Sequence, residues 1–308
     1  MAEITITIVV PTAGRSAGLR RLFAALARQR SVDVGWDVLV VDNGAIATTE
    51  RAAGQLASSV SVPIRFVREV QRGASHARNR GIAEVVAPIT VFLDDDVVPD
   101  PDCLGRLVEP VLAREFDGVG GRVLADPSQP MPRWFFDRAV EYLAQYDLGP
   151  ATRPLEDSEF LVTACAAFRT EVLRASGGFA PSLGPRPGAH LTNEDLLLAR
   201  RIRRSGRRLG YVGAASVVHE VAPERLRLRW MLHRIHCQGR SDWLLDRVDD
   251  DPSPTAGLRA VGRALVDEVL AAPRRGLWRR SVAFRLGAEV AYALGFSREM
   301  MVRLVRGA

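Results

Sequence analysis

The chain has 308 residues, 47% hydrophobic and 25% charged, with a net charge of +6, which is the balance of an ordinary soluble protein able to build a large core as one domain or two. Every basic residue is Arg, and these are not interleaved with aromatic residues as a single-strand nucleic-acid binder needs, so no nucleic-acid partner is expected. Three scattered cysteines (Cys103, Cys165, Cys237) without a CxxC pair exclude a disulfide framework and a zinc site. No apolar run reaches the roughly 18 residues of a membrane span, and the N-terminus lacks the basic and long apolar regions of a signal peptide, so a cytoplasmic setting is expected.

In chain order, Ile4 to Val10 reads as a first, central strand, closed by the turn Pro11-Thr12-Ala13-Gly14-Arg15. Leu19, Leu22, Phe23 and Leu26 follow at helical spacing. Val38 to Val41 is continuously apolar, as in a parallel strand covered on both faces, and ends in Asp42-Asn43-Gly44. A helix is expected over Thr48 to Ser58, a strand over Ile64 to Val67, and a helix opening at Gly73 and running to about Val86. Ile89 to Leu93 is β-branched and aromatic and predicts a buried strand. It stops at Asp94-Asp95-Asp96, and Pro99-Asp100-Pro101 then predict a turn. The alternation of strand and helix predicts a doubly wound α/β domain.

After about Gly120 a strand (Gly120 to Leu124) leads through a Pro-punctuated loop to an aromatic helix from Arg133 to Tyr146, which carries Trp134 and Tyr142. Phe160 to Phe168 reads as a strand and Phe179 to Thr192, with His190, as a mobile loop. A helix follows from Glu194 to Ser205, then strands at Leu209 to Val212 and Ala215 to His219. The remainder is mostly helical, with an acidic Pro-containing linker at 249–254 and amphipathic helices near Leu258 to Leu270 and Arg280 to Arg303. The last of these, rich in Arg among apolar residues, could lie on an anionic membrane, pack on the body or form a dimer face.

Three adjacent acids at a strand tip repel one another, and a divalent cation between them relieves the repulsion; oxygen ligands of this kind suit Mg²⁺ or Mn²⁺ completed by substrate phosphates. The other reading is a solvated acidic turn. Likewise Asp42-Asn43-Gly44 is either a ligand-facing acid or an ordinary turn, and Arg78 either grips a diphosphate or pairs with Asp94. Glu194 and Asp195 stand where a helix N-terminus stabilises acids, which would keep Asp195 ionised and weakly basic.

The opening Val9-Val10-Pro11-Thr12, the Gly73-x-x-x-Ala77-Arg78-Asn79-x-Gly81 segment, Asp94-x-Asp96, Glu194-Asp195 and the strand end His219, in this order, resemble the family-2 glycosyltransferases over Ile4 to about Arg240. The resemblance implies an inverting enzyme of the GT-A fold: a doubly wound, mostly parallel sheet with helices on both faces. Residues 1–248 would form the catalytic domain, 1–120 its nucleotide-binding half and 121–248 its acceptor half. A helical C-terminal extension, 249–308, would complete the chain. It further implies that Asp96 and His219 hold Mn²⁺ or Mg²⁺, and that Asp195, with Glu194, is the general base. Pro11, Thr12, Arg15, Asp42, Gly73, Arg78, Asp94, Asp95, Arg234 and Arg240 would line a nucleotide-diphosphate sugar, most simply UDP-linked. Trp134, Tyr142 and His190 would meet an acceptor hydroxyl on a small metabolite or a lipid- or polymer-linked glycan. Two other readings remain: a nucleotidyltransferase, for which Pro11 to Arg15 is a poor phosphate loop, and a non-catalytic sugar-nucleotide or glycan binder.

Overall fold

The computed structural model describes residues 3–30, 32–44, 62–127, 130–132, 141–249 and 280–306. Strand β1 (Ile4–Thr12) is followed by helix α1 (Ser16–Leu26), β2 (Gly35–Asp42), β3 (Ile64–Arg68), α2 (Ala74–Glu84), β4 (Ile89–Leu93), β5 (Val97–Pro99), α3 (Cys103–Leu112) and β6 (Gly118–Pro127). Then come β7 (Thr152–Pro154), β8 (Cys165–Arg169), α4 (Thr170–Ala175), the short strands β9 (Pro185–Arg186) and β10 (Ala189–His190), α5 (Glu194–Arg204), β11 (Leu209–Val221), α6 (Leu228–Val248) and α7 (Arg280–Arg306).

These elements form two compact units that interleave in sequence. The first comprises Met1–Asp126, Ala144–Pro181 and Glu194–Glu220; the second comprises Pro127–Leu143, Ser182–Asn193 and Val221–Ala308.

The first unit is built on one sheet in the order β3-β2-β1-β4-β8-β6-β11-β5, with β7 also pairing β11. The β3-β2-β1-β4 part is parallel, and β8 adds to β4 antiparallel. Because successive side chains alternate across a strand, the apolar runs feed two cores. Ile6, Ile8, Val10, Val38, Val40, Val91 and Leu93 meet α1 and α3 on one face. Val9, Leu39, Val41 and Phe92 meet α2, α4 and α5 on the other. This double burial is why β2 and β4 read as unbroken apolar stretches rather than alternating ones.

Several expectations are corrected. Val97–Pro99 is a short strand antiparallel to Val217–His219; Pro99 is tolerated because β5 is the edge of the sheet, where a missing N–H costs nothing. The two strands expected between Leu209 and His219 are the single strand β11, held by β7 near its start and by β5 near its end. Residues 160–164 are not strand: Cys165 N–H closes a turn onto the Val162 carbonyl, and β8 begins only there. Tyr146 bridges to Val123 instead of ending a helix. The loop expected over 179–192 contains the β9–β10 hairpin. The helices expected at 48–58 and 258–270, and most of that at 133–146, lie outside the described residues.

In the second unit α6 is braced by α7. Arg240 Nε donates to Glu299 Oε1 at 2.6 Å, and the Tyr292 hydroxyl donates to Asp242 Oδ2 at 2.6 Å. Asp242 Oδ1 in turn accepts from Asn193, whose backbone is left-handed at φ 74°. No helix among the described residues is long and apolar enough to cross a membrane.

Phe92 is fully buried, with its ring edge-on to Phe168 at 6.2 Å and to Phe179 at 5.4 Å. Phe92→Ala is expected to cost about 3–5 kcal/mol of unfolding free energy, measured by urea titration of the purified chain.

Candidate active site

The parallel strands β1, β2 and β4 end side by side, and the site grows from their tips. Thr12 is in register with Asp42 across β1 and β2, and Pro11 with Val41. Asp42 is buried and its Oδ1 accepts the Gly44 N–H at 2.9 Å. Asn43, which the sequence offered only as part of a turn, organises the next loop. Its Nδ2 donates to the carbonyls of Glu69 (3.0 Å) and Gln71 (2.6 Å), and its Oδ1 accepts from Gly73 N–H at 2.6 Å. Gly73 has φ 139°, a value side chains rarely tolerate, and this lets the chain turn into α2.

The three consecutive acids point three ways. Asp95 is fully buried and accepts from the Thr12 hydroxyl at 2.6 Å, while its Oδ1 lies 2.5 Å from Arg15 Nη2. Both Asp95 and the Thr12 hydroxyl are therefore occupied inside the protein, as an anchor for the strand tips. The backbone of α1 reinforces the anchor, since any side chain at Gly18 would run into the Asp95 carbonyl oxygen. Burial pushes the Asp95 carboxyl up to about 6, against the opposing charge of Arg15. Asp96 accepts from Arg15 Nη1 through Oδ2 at 2.6 Å. Asp94 faces Arg78. Relief of the repulsion, which the sequence reading gave to a divalent cation, is thus supplied in part by Arg15 and Arg78.

The pairing of β5 with β11 sets His219 opposite Val97, the residue after Asp96, and Glu220 N–H bonds the Asp96 carbonyl at 3.0 Å. The buried imidazole consequently puts Nε2 3.4 Å from Asp96 Oδ1. Two donors this far apart can share one octahedral cation, whose neighbouring ligands are about 3 Å apart at metal–ligand distances near 2.1 Å. A carboxylate with an imidazole suits Mn²⁺ better than Mg²⁺, which prefers oxygen alone. Among the described residues no group of three His, Cys, Asp or Glu side chains forms a cage, so donor phosphates would complete the shell, as is usual for such ions. The residues present fit the ion.

Arg78 is buried and joins the acid tip to helix α5. Nη2 donates to Asp94 Oδ1 and Nη1 to Glu194 Oε1, both at 3.0 Å, and the guanidinium lies 5.6 Å from the centre of the Phe179 ring. Of its two sequence readings, the structure shows the pairing with Asp94 and extends it to Glu194. Burial alone would lower the Arg78 pKa; the carboxylates of Asp94, Asp195 and Glu194 reverse that and hold it charged.

Asp195 accepts from the Thr163 backbone N–H through Oδ2 (3.1 Å) and from the Thr163 hydroxyl through Oδ1 (2.8 Å). Its pKa is raised, by burial first, with Arg78 and both Thr163 donors pulling it back. The direction is opposite to the one that a helix N-terminus alone would give, and burial is its first cause. Glu194 is pushed up to about 7 by burial and then by the charge of Asp195, with Arg78 opposing. Thr163 was missed in the sequence. Its one signal was being the sole hydroxyl side chain in the run Phe160 to Phe168.

Other candidates belong to the second unit. Arg234 stacks 5.5 Å from the Tyr142 ring centre and donates to Gln238. Arg240 is committed to Glu299. His190 is exposed, at the end of β10, with Trp230 and His233 as ring neighbours. Trp134 lies outside the described residues.

A family model described as glycosyl transferase family 2 matches residues 7–177. The pre-mycofactocin glycosyltransferase of Mycobacterium tuberculosis is 27% identical over 302 residues, covering 94% of this chain and 58% of that protein; the chain thus spans little more than half the length of this relative. The glucosyl-dolichyl phosphate glucuronosyltransferase of Haloferax volcanii is 25% identical over 177 residues, 57% of this chain and 56% of that one. Among solved structures, a mannosyltransferase from Pyrobaculum calidifontis in complex with GDP-Man and Mn²⁺ superposes with a TM-score of 0.60 at 20% identity, covering 94% of this chain and 87% of that one. S. aureus TarS 1–349 in complex with UDP gives 0.52 at 13% identity, covering 97% and 92%. At these identities the structural likeness concerns the fold.

Two tests follow from the buried charges. Arg78→Met leaves Asp94 and Glu194 without their cation and is expected to cost about 3–5 kcal/mol, read by chemical denaturation. For Glu194, a carboxyl whose folded pKa of about 7 exceeds the ordinary 4.5 binds its proton more tightly in the folded state. Its contribution to stability is full below 4.5 and is lost as pH rises through 7. The melting temperature of Glu194→Gln should therefore fall less than that of the parent between those pH values, by calorimetry.

Proposed function

We propose a donor, a metal and a catalytic base for this chain, which belongs to the family-2 glycosyltransferases and has the GT-A fold. The reaction is transfer of one sugar from a nucleotide-diphosphate donor to an acceptor hydroxyl with inversion at the anomeric carbon. The observation that carries this reading is the joining of three functions at one sheet end: Asp96 beside His219, Asp94 on Arg78, and Asp195 one residue beyond the Glu194 that Arg78 also holds.

Asp42, at the tip of β2, accepts an N–H of the nucleobase or a ribose hydroxyl, and Asp94 lies toward the ribose. Asp96 and His219 would hold Mn²⁺, whose charge would neutralise the diphosphate and make it a better leaving group. Pro11, Gly73 and Arg15 line the donor, Arg15 from a half-exposed position on Asp95 and Asp96.

Asp195 removes the proton of the attacking hydroxyl. The hydroxyl oxygen forms its bond to the anomeric carbon as the bond to the diphosphate oxygen breaks on the opposite face, and a single displacement inverts the centre. The logic is that of the base carboxylate in inverting glycosidases, with a sugar or metabolite hydroxyl in place of water. A raised pKa suits this task because it brings the base nearer to the working pH.

UDP is the assigned nucleotide. One structural relative carries UDP and another GDP-Man, and a carboxylate at Asp42 can accept from either base. The acceptor class is a hydroxyl on a small metabolite or on a lipid- or polymer-linked glycan, and the setting is cytoplasmic, with α7 a candidate contact for the inner membrane face.

Calorimetry with UDP and GDP, each with and without Mn²⁺, tests donor and metal together. Tight binding of one nucleotide only with Mn²⁺, lost in Asp96→Ala, is expected; metal-independent binding of both removes the metal assignment. Asp195→Asn is expected to lower kcat by about 10²–10⁴-fold with nucleotide affinity unchanged, and parental turnover in that variant removes the base.

A further inference from the structure

The side chain that determines what a carboxylate base can do is often the one that holds it. Asp195 is held by a single residue at two points, the Thr163 N–H on one oxygen and the Thr163 hydroxyl on the other. Two donors from one rigid source fix both the rotamer and the plane of the carboxylate. Each oxygen spends one acceptor position on Thr163 and keeps capacity for the acceptor hydroxyl.

Thr163 is itself immobile. It is 1% exposed and sits in the turn that Cys165 N–H closes onto Val162. Cys165 is paired with Leu93, the residue before Asp94. The strand pair that presents Asp94 therefore also fixes Thr163, two residues before Cys165. The donor-side acids and the carboxylate of Asp195 are thus set by one backbone register rather than by two independent loops.

We propose that Thr163 is the positioning residue of the catalytic base: its hydroxyl and N–H aim the Asp195 carboxylate and set how readily it takes the acceptor proton. This rests on Asp195 being the base. The charged groups facing Asp195 are Arg78 from α2, Asp94 at the end of β4 and Glu194 beside it on α5. Arg78 and the two Thr163 donors favour the ionised form, while burial, Asp94 and Glu194 disfavour it. Removing only the Thr163 hydroxyl leaves every charge in place, so the direction of the change is fixed: the carboxyl takes up a proton at higher pH, and its plane is freed about the remaining N–H contact.

The test compares the parent with Thr163→Val, Thr163→Ser and Asp195→Asn by pH profiles of kcat/KM and by nucleotide affinity. Thr163→Val is expected to lower kcat by about 10- to 100-fold, to move the acidic limb of the profile to higher pH, and to leave nucleotide affinity unchanged. Thr163→Ser, which keeps the hydroxyl, restores the limb. Thr163→Ala removes the same hydroxyl with a smaller side chain and replaces Val in the comparison if the Val protein does not fold. A limb at the parental pH in the hydroxyl-free variant overturns the proposal even if turnover is slower, because a purely structural role would slow the enzyme without moving the limb. An active Asp195→Asn overturns the base assignment and this proposal with it; an inactive Asp195→Asn with an unmoved limb overturns this proposal alone.

Discussion

One buried cation holds the chemistry together. Arg78 sits on α2, and its two terminal nitrogens reach Asp94 at the tip of β4 and Glu194 at the start of α5. Those carboxylates come from segments 100 residues apart in sequence (94 and 194), and each lies close to a residue for which a role is proposed above, Asp96 for the metal and Asp195 as the base. Away from water such a guanidinium is held firmly by its carboxylates, because leaving either partner uncompensated is strongly unfavourable. The planar fork makes the pairing directional, which Lys would not. Glu194 is spent on this pairing, whereas the adjacent Asp195 bonds Thr163.

The same economy of charge explains how five carboxylates can crowd one sheet end. Asp95 goes inward to Thr12 and Arg15, Asp94 to Arg78, Asp96 to Arg15 and the side of His219. Compensation is incomplete for Glu194 and Asp195, and there burial wins and raises both carboxyl pKa values. That imbalance suits the base role proposed for Asp195. The approach of Asp96 to His219 is made differently, by strand register: β11 lies against β5 so that His219 is opposite Val97, which brings imidazole and carboxylate within 3.4 Å.

Much of this was legible in the residues. The apolar runs at Ile4 to Val10, Val38 to Val41 and Ile89 to Leu93 are strands because both faces are covered, and the acids at their ends lie at the sheet's carboxyl end as the pattern implied. What the residues could not give was partnership across the fold. Nothing local distinguishes Asp95, which faces inward, from Asp94 and Asp96, which do not. Arg78 had two readings because its partners are 16 and 116 residues away. Thr163 looked like one polar residue inside an apolar strand, whereas the turn at 162–165 takes it out of the strand and turns both its donors onto Asp195. The short β5 strand was hidden by Pro99, which reads as a breaker until the strand is known to be an edge. The upward direction of the Asp195 pKa was hidden for the same reason: a helix start is visible in sequence and burial is not.

The most direct measurement of the central claim, that Arg78 couples the tip of β4 to helix α5, is a double-mutant cycle in unfolding free energy between Arg78→Met and Glu194→Gln. A shared buried pair predicts a coupling energy in the upper part of the range seen for contacting charged residues, about 1.5–3 kcal/mol. Additive effects, with coupling indistinguishable from zero, would contradict the account.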